Sequence, residues 1–275
     1  MEKRDVIEKE VTKGNNKRSY HDQKKLKSIN NKLSKVEAQI HQLEIEIKDI
    51  DVELEINYDA IVSNPLFFDE YQKKKENLNL LMKFKIFKFE SVTSTNDVAI
   101  NLIKKEQKEF GCVYAGIQTK GRGTYGRKWI SNKGNFFVSI FFPLKNNYPP
   151  FNEFSIINPI IISGVIKHFC EKKNIKLKFP NDIFVNRRKI CGILQELITI
   201  NSKKFLIIGI GINIVSNPKI NNKYQATNIL LETKKKPTIK EIIDLIISSY
   251  EKFFIDLNSY NYGHFKKRAN LMALN

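Results

Sequence analysis

The sequence predicts an α+β domain preceded by an antiparallel coiled-coil hairpin of α-helices. In the N-terminal third, apolar residues at alternating spacings of three and four extend over four heptads, the repeat of helices that wind around one another. The rest of the 275-residue chain combines short apolar strands, largely at hairpin spacing, with a few amphipathic helices, which favours α+β over a regular βαβ succession. The two parts also differ in charge balance. Residues 1–82 carry 15 basic and 16 acidic side chains, whereas residues 83–275 carry 32 basic and 13 acidic ones.

The composition excludes several classes of protein. The longest nearly apolar run, residues 156–166, is far shorter than the about 20 residues of a membrane span, and the charged N-terminus lacks a secretory signal. We therefore expect a cytoplasmic protein without a membrane partner. Cys112, Cys170 and Cys191 stand far apart without paired histidines, which favours buried thiols over zinc or disulfides. Of the 47 basic residues 40 are Lys, and we favour a scattered compositional bias over a dedicated nucleic-acid patch.

The heptad pattern begins at Leu26 and ends at Leu54. Residues 57–65 break it, since Pro65 disfavours helix at the residue before it, and residues 66–82 predict a returning helix. We expect a disordered segment or linker over 1–25 and a hairpin over 26–81 that spaces or binds without chemistry of its own. Residues 17–81, with their lead-in of Arg18, Ser19 and Tyr20, resemble the C-terminal coiled coil of ABC-F-type ATPases. No ATPase module accompanies them, so no ATPase activity is implied.

Residues 82–275 are expected to form the α+β domain. A strand over 84–89 precedes a helix whose N-cap is Ser94, with Asp97 at its third position, and which extends to about residue 108. A strand over 112–118, a glycine-rich basic loop over 119–135 and a strand over 136–142 follow. A helix has its apolar face between 154 and 169, four strands are predicted over 175–179, 184–186, 190–199 and 205–210, and a last helix covers 239–257.

Three motifs hold residue types that suit an anionic ligand. Residues 118–129 combine three glycines with two arginines and the sole tryptophan, and glycine N–H groups and guanidinium forks bind anions. Residues 178–182 lead through a turn into Lys189 and Gly192, where a lysine beside a carboxylate suits a polyanion. Residues 209–213 place two glycines and Asn213 at the end of an apolar strand. Each motif alone also fits an ordinary turn, hairpin or strand end.

With Ser94, Thr95 and Asn96 before them, in this order and spacing, the motifs make residues 82–275 resemble biotin protein ligases. The resemblance implies a mixed β-sheet flanked by helices, as in class II aminoacyl-tRNA synthetases and lipoate ligases. It implies formation of biotinyl-5′-AMP from biotin and ATP with Mg²⁺. Biotin would then pass to a lysine of the biotin carboxyl carrier protein of acetyl-CoA carboxylase.

The resemblance also assigns residues. Lys189, Arg122 and Asp182 have the catalytic roles, with Lys189 at the biotin carboxylate and α-phosphate and Asp182 positioning Lys189, the metal or the incoming lysine. No side chains are singled out as metal ligands. The implied biotin-binding residues are Ser94, Thr95, Asn96, Gln118, Gly121, Arg122, Gly123, Lys189 and Gly192. The implied ATP-binding residues are Arg122, Arg127, Trp129, Lys189 and Asn213, the last of which reads the adenine.

The chain departs from the family pattern at three points. Thr124 stands where a second arginine is frequent, and Phe179 stands where tryptophan is usual. The chain ends at Asn275, after the helix that usually leads into a small SH3-like cap, so we expect this cap to be missing. No DNA-binding helix-turn-helix precedes the domain, so repressor activity is not implied, and a homodimer is compatible with the sequence.

Two other functions remain open at this stage. A lipoate or octanoate ligase or transferase on the same fold would need a long thin pocket without polar head-group contacts, whereas Ser94, Thr95 and Gln118 suit the ureido ring of biotin. A coiled-coil adaptor with an inactive ligase half would bind ribosomes or nucleic acid through the Lys-rich surface, and its binding would weaken steeply with salt.

Overall fold

The computed structural model describes residues 84–218, 225–255, 257 and 260–274, together with short helical stretches between residues 27 and 46. The chain divides into two compact units, Met1–Leu81 and Met82–Asn275. The stretches of the first unit are helical, as the heptad pattern predicts; they comprise residues 27–28, 31–32, 34–36, 38–43 and 45–46. The predicted linker over 1–25, the break at 57–65 and the returning helix over 66–82 lie outside the described residues.

The second unit is built on one seven-stranded sheet of mixed direction. Its strand order is β1-β2-β3-β7-β6-β5-β4, in which β1 is parallel to β2 and every other neighbouring pair is antiparallel. The predicted mixed sheet is therefore confirmed, as are the hairpins of its second half. The strands are β1 Lys85–Val92, β2 Gly111–Gln118, β3 Phe136–Pro143, β4 Ile175–Lys178, β5 Asp182–Val185, β6 Arg188–Ile200 and β7 Lys203–Ile212.

In the described part of the second unit, α-helices and short 3₁₀ turns accompany the sheet. The helices are α1 Thr95–Glu106, α2 Phe154–Phe169, α3 Ile229–Thr233, α4 Ile239–Ile255 and α5 Tyr262–Met272, and the 3₁₀ turns are Thr124–Gly126 and Phe151–Glu153. Helices α3 and α5 were not predicted. Helix α3 has only five residues, too few for a 3.6-residue period, and α5 buries a single side chain, Ala269, so neither has an amphipathic pattern.

The predicted N-cap of α1 is confirmed, because Ser94 occupies that position, although its side chain makes no capping hydrogen bond. One local prediction was wrong in detail. Phe179, predicted at the end of a strand, lies in the turn that separates β4 from β5, and Asp182 lies on β5 rather than in that turn. The turn between the two strands is therefore tighter than the sequence pattern indicates.

Both faces of the sheet are covered, and β3 is buried along its whole length. Because side chains alternate across a strand, Phe141 and Phe142 enter different cores. Phe141 packs with Ala99 and Leu102 of α1. Phe142 lies at the centre of an aromatic cluster, with ring centroids at 4.8–6.5 Å from its neighbours; these are Phe84, Tyr148, Phe154, Tyr250 and Phe254.

The three cysteines are free and buried, as predicted. Burial raises the pKa of the Cys112 thiol to about 12 and that of Cys170 to about 11, so both remain protonated at neutral pH. Among the described residues, no helix combines the length and apolarity that a membrane span requires.

The aromatic cluster predicts a large cost for removing its central ring. Phe142→Ala should lower the free energy of unfolding by about 3–5 kcal/mol, because a fully buried phenyl group leaves a cavity that its neighbours cannot fill. Urea denaturation followed by the emission of Trp129 measures it. Leu271→Ala, at a side chain that is 72% exposed, is the control and should change stability by less than about 0.5 kcal/mol. Equal effects of the two substitutions would contradict the assignment of this core.

Candidate functional site

One cavity of about 370 Å³ gathers the three sequence motifs. It lies where the N-terminus of α1, the glycine-rich loop of residues 119–135 and strands β6 and β7 meet. Every residue that the resemblance assigned to the site lines this cavity except Gly121; those that do are Ser94, Thr95, Asn96, Gln118, Arg122, Gly123, Arg127, Trp129, Asp182, Lys189, Gly192 and Asn213. The structure therefore brings together residues that are up to 119 positions apart.

A hydrogen-bonded polar wall forms one side of the cavity. The Thr95 backbone N–H and its hydroxyl both donate to Gln118 Oε1, at 2.9 and 3.1 Å. Gln118 Nε2 donates to Ser131 Oγ at 3.1 Å, and the fully buried Ser139 hydroxyl of β3 donates to Thr95 Oγ1 at 2.7 Å. These bonds fix Thr95 and Gln118 before any ligand binds. Sequence reasoning missed Ser139, although a single polar residue in an apolar strand was a usable signal.

Arg122 is held by acidic side chains from two other elements. Its guanidinium donates to both oxygens of Glu196 and to Asp97 Oδ1, each at 2.8 Å. Asn96 Nδ2 donates to Glu196 at 2.6 Å, and Asn96 Oδ1 lies within hydrogen-bond distance of Ser139. The hydrogen bond with Glu196 is the main reason that the pKa of Arg122 is raised. Arg122 thus ties the glycine-rich loop to β6 and α1, and Glu196 is a site residue that the sequence did not reveal.

The glycine-rich loop folds back on itself. The Trp129 backbone N–H donates to Gly121 O at 2.9 Å, and a Cβ at Gly121 would lie 2.6 Å from Trp129 O. Arg127 donates to the Thr124 carbonyl at 3.1 Å and to Thr124 Oγ1 at 2.7 Å. The glycine at 121 therefore serves the fold of the loop, and Thr124 is the partner of Arg127.

Trp129 lies directly on the backbone of two paired strands. Gly192 of β6 and Gly211 of β7 are cross-strand partners, and a Cβ at either position would clash with the indole ring. The resemblance gave Gly192 the role of letting backbone approach a ligand, but the neighbour that needs its missing side chain is Trp129. The indole Nε1 is buried and finds no hydrogen-bond acceptor among the described residues.

Lys189 and Asp182 form the ionic pair of the cavity. Lys189 Nζ lies 2.7 Å from Asp182 Oδ1 and 5.4 Å from the centroid of the Trp129 ring, and both members of the pair are partly exposed to the cavity. An ammonium over an aromatic face is attracted by the quadrupole of the ring. Lys189 is therefore oriented by a carboxylate and an indole together. The buried Asn213, which also lines the cavity, donates from Nδ2 to Thr227 O at 3.0 Å.

The region that forms this cavity is similar to a known family of proteins. Residues 88–213, less than half of the chain, match the model of the Biotin/lipoate A/B protein ligase family. Among curated proteins the chain is similar to the bifunctional ligase/repressor BirA of Escherichia coli, with 32% identity over 124 residues. That match covers 44% of this chain and 38% of BirA, so the chain spans less than half of that relative.

Two solved structures share the fold of the second unit. The biotin protein ligase of Leishmania major in complex with biotinyl-5-AMP is 26% identical, with a TM-score of 0.60 over 69% of this chain and 81% of that one. The biotin protein ligase of Aquifex aeolicus in complex with biotin and ATP is also 26% identical, with a TM-score of 0.59 over 69% of this chain and 78% of that one.

The contact between Trp129 and the glycine pair predicts a fluorescence change. Gly211→Ala places a methyl group 2.5 Å from the indole, so Trp129 should leave its position and its emission should shift to the red. Trp129 is the sole tryptophan, so the emission of the whole chain reports on it. Gly164→Ala is the matched control, because its Cβ would meet no atom within 4 Å. Parental emission in Gly211→Ala would refute this packing.

Proposed function

We propose that residues 82–275 act as an ATP-dependent biotin protein ligase. In this reaction the biotin carboxylate attacks the α-phosphate of ATP, pyrophosphate leaves, and biotinyl-5′-AMP stays bound until a lysine of a biotin carboxyl carrier protein attacks its carbonyl and releases AMP. The observation that carries the proposal is one cavity whose lining contains both the polar side chains of Thr95 and Gln118 and the Lys189–Asp182 pair. Support comes from two solved relatives, which bind biotinyl-5-AMP and biotin with ATP.

The polar wall suits the head group of biotin. A ureido ring has one carbonyl and two N–H groups, so it needs both donors and acceptors, and Ser94, Thr95 and Gln118 offer both. A site built to pair with N–H groups discriminates strongly against an analogue that lacks them, because its own polar groups are then left unpaired. Lipoate and octanoate have no such groups. The wall therefore favours biotin over either acid as the substrate.

Lys189 supplies the positive charge for the first step. Negative charge grows on the α-phosphate oxygens as the carboxylate attacks, and a fixed ammonium stabilises it without rearrangement. Asp182, at 2.7 Å, orients that ammonium. Asn213, another lining residue, contacts the adenine. The glycine-rich loop, tied down through Arg122, keeps water away from the adenylate.

Mg²⁺ fits the cavity as a companion of ATP. Asp182 is the sole Asp or Glu among the residues that line the cavity, and the described part of the chain contains no group of three or more His, Cys, Asp or Glu side chains that could hold a metal ion. Mg²⁺ that accompanies a nucleotide takes most of its ligands from phosphate and water and needs only one or two carboxylates. Asp182 would hold it, and the ion would neutralise phosphate charge.

The carrier protein is the second substrate. Residues 83–275 carry 32 basic against 13 acidic side chains. Such a surface attracts an acidic carrier domain and speeds encounter, although it does not select one carrier from another. We propose the biotin carboxyl carrier protein of acetyl-CoA carboxylase as this partner.

Biotin-dependent exchange of pyrophosphate into ATP tests the first half-reaction on the full chain. We expect exchange with biotin and none with lipoate or octanoate. Lys189→Ala should reduce it by about 10²–10³-fold, the usual cost of removing a group that stabilises developing charge. Lys240→Ala is the matched control, since it breaks another Lys–Asp pair, with Asp244, on the exposed surface of α4. Exchange with lipoate but not with biotin would overturn the proposal. Failure of every acid tested to support exchange would overturn it as well.

The threonine at position 124, where a second arginine is frequent, predicts that biotinyl-5′-AMP is released from the site more readily. A second arginine at this position would add a guanidinium to the loop that faces the phosphate, so Thr124→Arg should slow release of biotinyl-5′-AMP by about tenfold, the factor for one charge-assisted hydrogen bond. Thr124→Val is the control, because it removes the hydroxyl that Arg127 contacts and adds no charge. The rate at which biotinyl-5′-AMP leaves the purified protein is measured for both variants. An unchanged rate in Thr124→Arg would rule out a role of residue 124 in retaining the adenylate.

A further inference from the structure

Glu232 is a buried carboxylate on α3 that lies outside the cavity. It is 6% exposed and accepts three hydrogen bonds, from Thr227 Oγ1 at 2.6 Å, Arg188 Nη2 at 2.7 Å and Asn186 Nδ2 at 2.8 Å. Burying a charge is costly, and a buried ion pair adds little net stability over an apolar replacement. Stability alone is therefore a poor explanation for this cluster. The alternative is that the cluster positions neighbouring residues.

The segment of residues 225–227, which contains Thr227, continues the sheet beside Lys189. The pairing of β6 with β7 begins only at Cys191. Before that point, the Lys189 backbone N–H donates to Gln225 O at 2.9 Å and the Thr227 N–H donates to Lys189 O at 2.8 Å. Ala226, between them, lines the cavity. The backbone of Lys189 is thus held by this segment on one side and by Phe184 of β5 on the other.

Thr227 and the nearby Ile229 hold Asn213, which also lines the cavity. Thr227 O accepts from Asn213 Nδ2 at 3.0 Å, and the Ile229 N–H donates to Asn213 O at 3.1 Å. One residue, Thr227, therefore links the buried carboxylate of Glu232, through its hydroxyl, to the two residues that the proposed function places at the α-phosphate and the adenine, through its backbone.

We infer that Glu232 is a positioning residue for the nucleotide half of the site. Through Thr227 it fixes the segment that sets the backbone of Lys189 and the amide of Asn213, while it touches neither the cavity nor a substrate itself. The inference rests on the proposed function for its kinetic consequence. Biotin, which meets the wall around Thr95 and Gln118, depends less on this segment, so the effect is selective for ATP.

Three variants separate positioning from simple stabilisation. Thr227→Val removes the hydroxyl link and leaves the Glu232–Arg188 ion pair intact, and Glu232→Ala removes both. Each should raise the KM for ATP by about tenfold, the factor that corresponds to about 1.4 kcal/mol, with a smaller change in the KM for biotin. Glu232→Gln keeps an oxygen for the Thr227 hydroxyl and should remain within about threefold of the parent, because a neutral acceptor preserves most of one hydrogen bond.

The control is a carboxylate in the same kind of contact but far from the cavity. Glu153 accepts from the Tyr260 hydroxyl at 2.6 Å, the distance found for Thr227 and Glu232. Glu153→Ala should lower the melting temperature without changing the KM for ATP. If Thr227→Val and Glu232→Ala also leave that KM at the parental value, or raise the KM for ATP and biotin equally, Glu232 has only a structural role.

A readout without substrate distinguishes failure of this inference from failure of the proposed function. Lys189 Nζ lies 5.4 Å from the ring centroid of Trp129, so a displaced Lys189 changes the emission of the ligand-free protein. Thr227→Val should shift that emission and Glu153→Ala should not. A parent chain without biotin-dependent exchange would refute the ligase function and leave the emission result to decide the role of Glu232. Parental emission in Thr227→Val would overturn the inference whether or not the chain is a ligase.

Discussion

The architecture of the site depends on a patch at the centre of the sheet where glycines of β6 and β7 leave the backbone without side chains. Gly192 and Gly211 face each other across β6 and β7, and their missing side chains let the Trp129 indole lie flat on both strands. Two residues earlier on the same face, Gly209 leaves room for Asn96. Because the patch accepts one residue from the loop and one from α1, it brings the loop, the helix N-terminus and the sheet to one place.

Two of the cations around that patch already have anionic partners. Arg122 pairs with Glu196 and Asp97, and Lys189 pairs with Asp182. Exposed ion pairs contribute little to stability, so these pairs matter chiefly for orientation. Arg122 joins the loop to the sheet, and both Arg122 and Lys189 line the cavity with partly exposed side chains. The resemblance implies a ligand contact for both residues, and this stays a prediction.

Sequence reasoning succeeded where the signal was local. The periodicity of α2 and α4, the strands that flank the loop, and the three glycine- and lysine-containing motifs could all be read from neighbouring residues. The partners that complete the site could not, because Ser139 and Glu196 meet Asn96 over separations of 43 and 100 positions. Glu232, which lies outside the cavity, could not be read either, because it meets Asn186 over 46 positions. For the same reason the packing of Trp129 on Gly192 could not be predicted, since nothing near Gly192 in sequence points to Trp129.

Lys189 is the residue on which these contacts converge. Asp182 and Trp129 act on its ammonium, and residues 225–227, anchored by Glu232 through Thr227, act on its backbone. A lysine side chain has many rotamers and is costly to order, so a single contact would leave its charge poorly located. With both ends held, the ammonium occupies one place before substrate arrives. In the proposed ligase this is the condition under which a fixed charge stabilises a transition state without further reorganisation.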